Sequence, residues 1–196
     1  MTSSAEPRSE ATTVGVVGLG LLGRGIATCL LGYGIRVVGY SRQKTTRDEA
    51  ADYIQTGVRE LVERGGFDRT LPERWSKDYL ATDSYGDLAP CELVIESVAE
   101  DLEIKRSVFE QIEEVVPASA VIASNTSALP ISLLQQQLAR PERFLGMHWA
   151  EPAYATRFLE LIRGEGTSDE TLRRAEQLGR RGGKEPSIVR RDVPGF

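Results

Sequence analysis

Val14-Gly15-Val16-Val17-Gly18-Leu19-Gly20-Leu21-Leu22-Gly23 is the stretch on which the fold turns. Its first four residues are short, apolar and largely β-branched, the pattern of a buried strand. Three glycines follow at the spacing Gly-x-Gly-x-x-Gly. Gly18 permits a tight turn, Gly20 lets the backbone approach a pyrophosphate, and Gly23 lets a helix pack on the strand. Leu21 and Leu22 belong to the same phosphate-facing loop, and the helix N-terminus beyond offers N–H groups to an anion. Such a pattern alone is also compatible with a glycine-rich turn that binds nothing. Here a strand precedes it, a helix follows, and a second strand comes at the right distance, which points to dinucleotide binding.

Working outward, residues 25–33 fit a helix ending at Gly32 and Gly34, and residues 35–40 a second strand. Residues 46–64 carry Ala50, Ile54, Val58, Leu61 and Val62 at helical spacing and are closed by Gly65 and Gly66. Residues 67–75 read as irregular, and 79–82 as a short strand. Strands are expected at 93–98, 120–124, 143–149, 157–163 and 187–190. Helices are expected at 102–116, at 131–139 after Pro130, and at 168–182 with Ser168 or Asp169 as cap. Strand and helix alternate through the first two-thirds. The fold class is therefore α/β: a doubly wound, mostly parallel sheet with helices on both faces, Rossmann-like. Residues 1–12 read as a disordered tail, 13–192 as a dinucleotide-binding domain and 193–196 as the start of a linker.

The 196 residues suffice to bury a core. The net charge of -5 argues against nucleic acid as a partner. No apolar run approaches the roughly 20 residues that span a bilayer. The polar N-terminal stretch lacks a signal-peptide core, so a cytoplasmic location is expected. Cys29 and Cys91 read as buried free thiols. One histidine and two scattered cysteines do not make an ordinary zinc site, so no metal is expected.

The end of the second strand bears on coenzyme choice. Enzymes that use NAD place an Asp or Glu there for the ribose 2′-hydroxyl. This chain has Tyr40-Ser41-Arg42, with Lys44 and Arg47 close by. Ser41 and Arg42 could bind a 2′-phosphate through a hydroxyl and a guanidinium fork, which favours NADP(H). The alternative is that Arg42 is a solvated charge and the site takes NAD without the acid.

The single histidine lies in Gly146-Met147-His148-Trp149, and Glu160 follows in Phe158-Leu159-Glu160-Leu161-Ile162. Together with Ile95-Glu96-Ser97-Val98-Ala99-Glu100 through Lys105, and Ala123-Ser124-Asn125-Thr126-Ser127, these blocks resemble the L-3-hydroxyacyl-CoA dehydrogenases, specifically their N-terminal NAD-binding domain. The resemblance covers about residues 14 to 196. It implies an oxidoreductase that moves hydride between a nicotinamide, NAD being the family default, and the 3-hydroxy group of an acyl-CoA or related hydroxy acid. His148 matches the family's base, Glu160 its orienting carboxylate, and Ser127 a serine near the substrate carbonyl. Glu100 and Lys105 match coenzyme contacts, and Asn125 lies in the most specific block, beside the coenzyme. The chemistry agrees, since a secondary alcohol surrenders hydride only as its proton leaves to a base. Without the resemblance, Ser127 could be a turn residue, and Glu100 and Lys105 a solvated pair one turn apart. A nucleotide-binding module without catalysis, and a dehydrogenase for carnitine-like or sugar-acid substrates, stay open as alternatives.

Three departures from the family stand out. The acid after the second strand is missing. Glu151 replaces the usual Asn three residues after the histidine; it would raise the imidazole's pKa if close, or else point to solvent. The family's helical C-terminal domain, which helps bind substrate and forms a homodimer, has no counterpart in these residues. The chain by itself is therefore expected to bind coenzyme and turn over poorly.

Overall fold

The computed structural model describes residues 12–136, 138–193 and 195. Residues 1–11 of the expected tail, and Pro194 and Phe196 of the expected linker, lie outside them. The strands are β1 (Thr13–Val17), β2 (Arg36–Tyr40), β3 (Tyr79–Thr82), β4 (Leu93–Glu96), β5 (Val121–Ser124), β6 (Phe144–Trp149), β7 (Phe158–Ile162) and β8 (Glu185–Val189). They form one sheet in the order β3-β2-β1-β4-β5-β6-β7-β8. The first six are parallel, β7 pairs antiparallel with β6, and β8 runs parallel to β7. The chain leaves β1 toward β2 on one side and returns on the other through β4. That reversal is the topological switch point, where open α/β sheets bind ligands at the carboxyl ends of the strands.

The helices are α1 (Leu21–Gly32), α2 (Lys44–Gly65), α3 (Leu71–Arg74), α4 (Leu102–Val115), α5 (Ile131–Gln135) and α6 (Asp169–Arg181). One core joins Ile26 and Leu30 of α1, Ile54 and Val58 of α2 and Ala175 of α6 to Val14, Val16, Ile95, Met147 and Trp149. The other joins Val108, Phe109 and Ile112 of α4 and Ile131 and Leu134 of α5 to Val17, Val94, Ile122, Phe144 and Ile162. Central strands apolar on both faces are what a sheet covered on both sides requires. Each fully buried Ile or Phe contributes about 1.5–3 kcal/mol.

Local chemistry fixes the element ends. Asp101 caps α4 by accepting the Ile104 N–H at 2.9 Å, and Ser168 caps α6 by accepting that of Thr171 at 3.2 Å. Gly66, in the left-handed region at φ 69°, closes α2. Several boundaries differ from the sequence reading. α1 begins at Leu21, not at residue 25, because the second half of the glycine loop is already its first turn and Gly20 its N-cap. Residues 67–75 are not wholly irregular: α3 forms there with Pro72 in its first turn, where a missing N–H costs nothing. α5 stops at Gln135 rather than reaching 139. The Gln135 amide turns inward and donates to the Pro141 and Phe144 carbonyls and the Thr167 hydroxyl. β8 starts two residues early and accommodates Pro186, as an edge strand can. Cys29 and Cys91 are free and buried. Among the described residues no helix is long and apolar enough to cross a membrane.

Candidate active site

Five strand ends meet along one edge of the sheet. The glycine loop follows β1, Ser41 and Arg42 follow β2, residues 97–100 follow β4, residues 125–128 follow β5, and His148 is the penultimate residue of β6. The loop is built as its glycines require. Gly18 has φ +97°, and a Cβ there would stand 2.4 Å from the Ser97 carbonyl oxygen. A Cβ on Gly23 would stand 1.8 Å from the Gly18 oxygen, so only glycine lets α1 close on the strand. A Cβ on Gly20 would meet nothing within 4 Å. No side chain caps α1 and no acid lies in its first turn, and Leu21 is half exposed. An open backbone face at an uncapped helix N-terminus fits a pyrophosphate.

At the end of β2, Ser41 is anchored through its N–H to the Thr82 carbonyl at 3.0 Å. Arg47 donates to the Ser41 carbonyl at 2.6 Å and to that of Arg42 at 3.2 Å, and pairs with Asp83 at 2.9 Å. Lys44 pairs with Asp48 at 2.7 Å. Of the three cations near this turn, Arg47 and Lys44 are engaged by carboxylates of the protein itself, while Arg42 and Lys44 are exposed and Arg47 is half-buried.

β6 and β7 place His148 directly opposite Glu160. Their side chains meet, Nδ1 to Oε2, at 2.9 Å. Both are about three-quarters buried, at 25% and 22% side-chain exposure, so the pair is shielded yet reachable. Met147 and Trp149 pack in the core under α1, α2 and α6. His148, between them, projects to the other face, as strand alternation requires. The Phe158 ring meets the imidazole edge-on, 5.8 Å between centroids. The Asn125 side-chain oxygen accepts the Trp149 N–H at 2.9 Å, and its amide donates to the Ser97 hydroxyl at 3.2 Å. Asn125 thereby ties the loops after β4 and β5 to the end of β6, beside the histidine.

Glu151 lies elsewhere. It is exposed; its Oε1 accepts the Tyr53 hydroxyl of α2 at 3.2 Å, and its Oε2 stands 3.6 Å from where a Gly25 Cβ would be. Its carboxylate is thus laid over α1 and α2, which pack on the face away from the imidazole.

The loop carrying Ser127 is shaped by Glu100. Glu100 Oε1 accepts the Thr126 hydroxyl in a short hydrogen bond and the N–H groups of Ser127 at 3.3 Å and Ala128 at 3.1 Å. Burial pushes the Glu100 carboxyl up, but the Thr126 hydroxyl, the Lys105 charge and the Ala128 N–H outweigh it. The net displacement is below the ordinary carboxylate range. Lys105 is not a solvated partner of Glu100. It is fully buried, 3.3 Å from Glu100 Oε2 and 2.7 and 2.9 Å from the two oxygens of Glu96.

Glu96, also fully buried, is a residue that sequence reasoning passed over as part of an apolar strand. The available signal was a charge closing the run Leu93-Val94-Ile95, which demands a buried partner. A second missed residue, Asp192, accepts the Ile131 N–H at 2.7 Å and that of Ser132, capping α5 from the far end of the chain.

The chain is similar to known proteins over nearly its whole length. Residues 13–193 match the family described as "3-hydroxyacyl-CoA dehydrogenase, NAD binding domain". A probable 3-hydroxybutyryl-CoA dehydrogenase of Deinococcus radiodurans is 34% identical over 93% of this chain and 65% of its own length. The 5-formyl-3-hydroxy-2-methylpyridine 4-carboxylate 5-dehydrogenase of Mesorhizobium japonicum is 34% identical over 93% of this chain and 59% of its own. The crystal structure of the (S)-3-hydroxybutyryl-CoA dehydrogenase of Ralstonia eutropha superposes with a TM-score of 0.90 at 32% identity, over 95% of this chain and 66% of that one. The chain therefore spans less than two thirds of these relatives.

Proposed function

This chain belongs to the 3-hydroxyacyl-CoA dehydrogenase family and carries its NAD-binding domain, and from that premise we propose that it is the coenzyme-binding and proton-transferring part of a dehydrogenase for 3-hydroxyacyl-CoA or a closely related hydroxy acid. The observation that carries the reading is the His148–Glu160 pair, 2.9 Å apart at the carboxyl edge of the sheet that holds the glycine loop.

The backbone of Gly18, Gly20, Leu21, Leu22 and Gly23 would hold the pyrophosphate, and Ser41 and Arg42 would take the adenosine ribose. Glu100 and Asn125 would border the nicotinamide end, with Lys105 behind them. The bound nicotinamide supplies or accepts the hydride at the substrate carbon. The remaining chemistry belongs to the protein. In oxidation the substrate hydroxyl proton passes to Nε2 of His148 as C3 gives up hydride and becomes a carbonyl; in reduction the same nitrogen returns it. Glu160 accepts from the Nδ1 proton, which fixes the tautomer and stabilises the imidazolium. Ser127 donates to the substrate oxygen.

His148→Gln is expected to lower kcat on the order of 10²–10⁴-fold while the chain still binds coenzyme. Undiminished oxidation of 3-hydroxybutyryl-CoA by that variant would defeat the assignment. With no acid after β2 and Arg42 exposed, we assign NADP(H) as the preferred coenzyme. Arg42→Ala is expected to weaken NADPH roughly tenfold or more, the worth of a charge-assisted hydrogen bond, and NADH far less. Tighter binding of NADH than NADPH by the unaltered chain at matched salt would overturn the preference.

A further inference from the structure

Lys184 is a buried cation that the hydride-transfer chemistry does not use. It follows Gly182-Gly183, where α6 has ended and the chain turns into β8. Gly183 has φ +73°, and a Cβ there would collide with the Tyr33 hydroxyl, so this turn requires glycine. Lys184 is 4% exposed, and a lysine is seldom so buried unless its charge is held. Here the backbone holds it: the ammonium donates to the carbonyls of Ala153 and Thr156 in short hydrogen bonds and lies 5.1 Å from the centre of the Trp149 ring. Burial lowers the pKa of the ammonium, and the neighbouring Cys29 thiol opposes that displacement. The two carbonyls belong to the connection between β6 and β7. Residues 152–156 make one helical turn there, with the Ala155 and Thr156 N–H groups donating to the Pro152 carbonyl at 3.0 and 3.1 Å. A cation at such a turn satisfies carbonyls that its own backbone leaves open. The connection also meets the helices: Ala153 packs where Gly25 of α1 leaves room, and Tyr154 donates to Glu60 of α2 at 2.8 Å. Its two ends both adjoin the histidine. Trp149 is the next residue, and the Phe158 ring meets the imidazole while Phe158 itself pairs with Glu185, the residue after Lys184.

We propose that Lys184 is a positioning residue for the proton-transferring pair: its ammonium fixes the connection between β6 and β7, and with it the setting of His148 against Glu160. Lys184 acts through that connection, whose carbonyls it holds. The catalytic consequence rests on the reading of His148 as the base; the positioning itself does not.

The test is the tautomer of the single imidazole. Nitrogen-15 spectra of the full chain without coenzyme, at a pH where the ring is neutral, report which ring nitrogen carries the proton. With Nδ1 2.9 Å from Glu160 Oε2, the unaltered chain is expected to hold the Nδ1-protonated form. Lys184→Met removes the ammonium without stranding a carboxylate, since carbonyls hold it. The ratio of Nδ1-protonated to Nε2-protonated ring is expected to fall about fivefold, the worth of one hydrogen bond. Ile112→Val, a core change in α4, is expected to leave the ratio as it is. If Lys184→Met does not fold, Lys184→Gln takes its place; it keeps a neutral donor, and a fall of about twofold is then expected. An unchanged ratio in folded Lys184→Met, or in Lys184→Gln where that stands in, would overturn the proposal, because the β6–β7 ladder alone would then set the pair. So would an equal fall in Ile112→Val, because general loss of stability would then be the cause. Failure of the unaltered chain to bind either NADH or NADPH would instead count against the functional reading and leave the tautomer result standing.

Discussion

Glu160 faces His148 because antiparallel register puts them in the same row, where side chains of opposed residues meet. Glu160→Gln keeps the shape and removes the charge that stabilises the imidazolium. It is expected to cut kcat by on the order of 10²-fold or more with KM little moved; steady-state kinetics with 3-hydroxybutyryl-CoA would show it. A KM-only effect would mean that Glu160 serves binding rather than proton transfer. Glu100 carries a pH signature. Its carboxyl titrates below its unfolded value in the folded chain. Its stabilisation is therefore complete above the unfolded pKa and is lost as pH falls through the folded one. Denaturant melts between about pH 5 and 3 should show the unaltered chain losing more stability than Glu100→Gln. Parallel losses would contradict the assigned displacement.

At the scale of elements, the strand–loop–helix unit from β1 to α1 separates folding from binding. Gly20 has φ -65° and ψ -169°, which alanine can adopt, and the space around its Cβ position is empty. Gly20→Ala should therefore leave Tm unchanged or raise it slightly, by reducing the freedom of the unfolded chain. The new methyl would occupy the face where a pyrophosphate approaches, so dinucleotide affinity should fall about tenfold or more. Gly23→Ala should do the reverse, costing roughly 2 kcal/mol or more of stability because its Cβ collides with the Gly18 carbonyl. Thermal melts paired with coenzyme fluorescence titrations read both. A stability loss in Gly20→Ala equal to that of Gly23→Ala would mean the loop is only a structural turn. The α4 cap adds a smaller and independent effect: Asp101→Ala should cost about 1 kcal/mol through the freed Ile104 N–H.

Across the whole molecule, the mostly parallel sheet and its two-faced packing were legible because strand and helix alternate and the apolar positions of β1, β2, β4 and β5, and of α2 and α4, are cleanly spaced; the strand order was not read from the sequence. The histidine–glutamate pair was expected from the family resemblance, and the antiparallel register of β6 and β7 brings the two side chains together. The rest depended on contacts distant in sequence. That α5 ends at Gln135 reflects bonds to Pro141, Phe144 and Thr167, which local propensity does not encode. That Lys105 is buried depends on Glu96, a residue on the neighbouring strand. That Glu151 turns to Tyr53 depends on α2 lying beside the end of β6. In each case a polar side chain found a tertiary partner, and only the fold could say which.

The chain holds a single histidine, so its imidazole resonances report one site without ambiguity. Titrating NADPH or NADH into the uniformly labelled chain should shift the His148 ring signals saturably, with the same Kd as the coenzyme fluorescence. Saturable coenzyme binding that leaves those signals unmoved would place the imidazole away from the dinucleotide cleft and contradict the account.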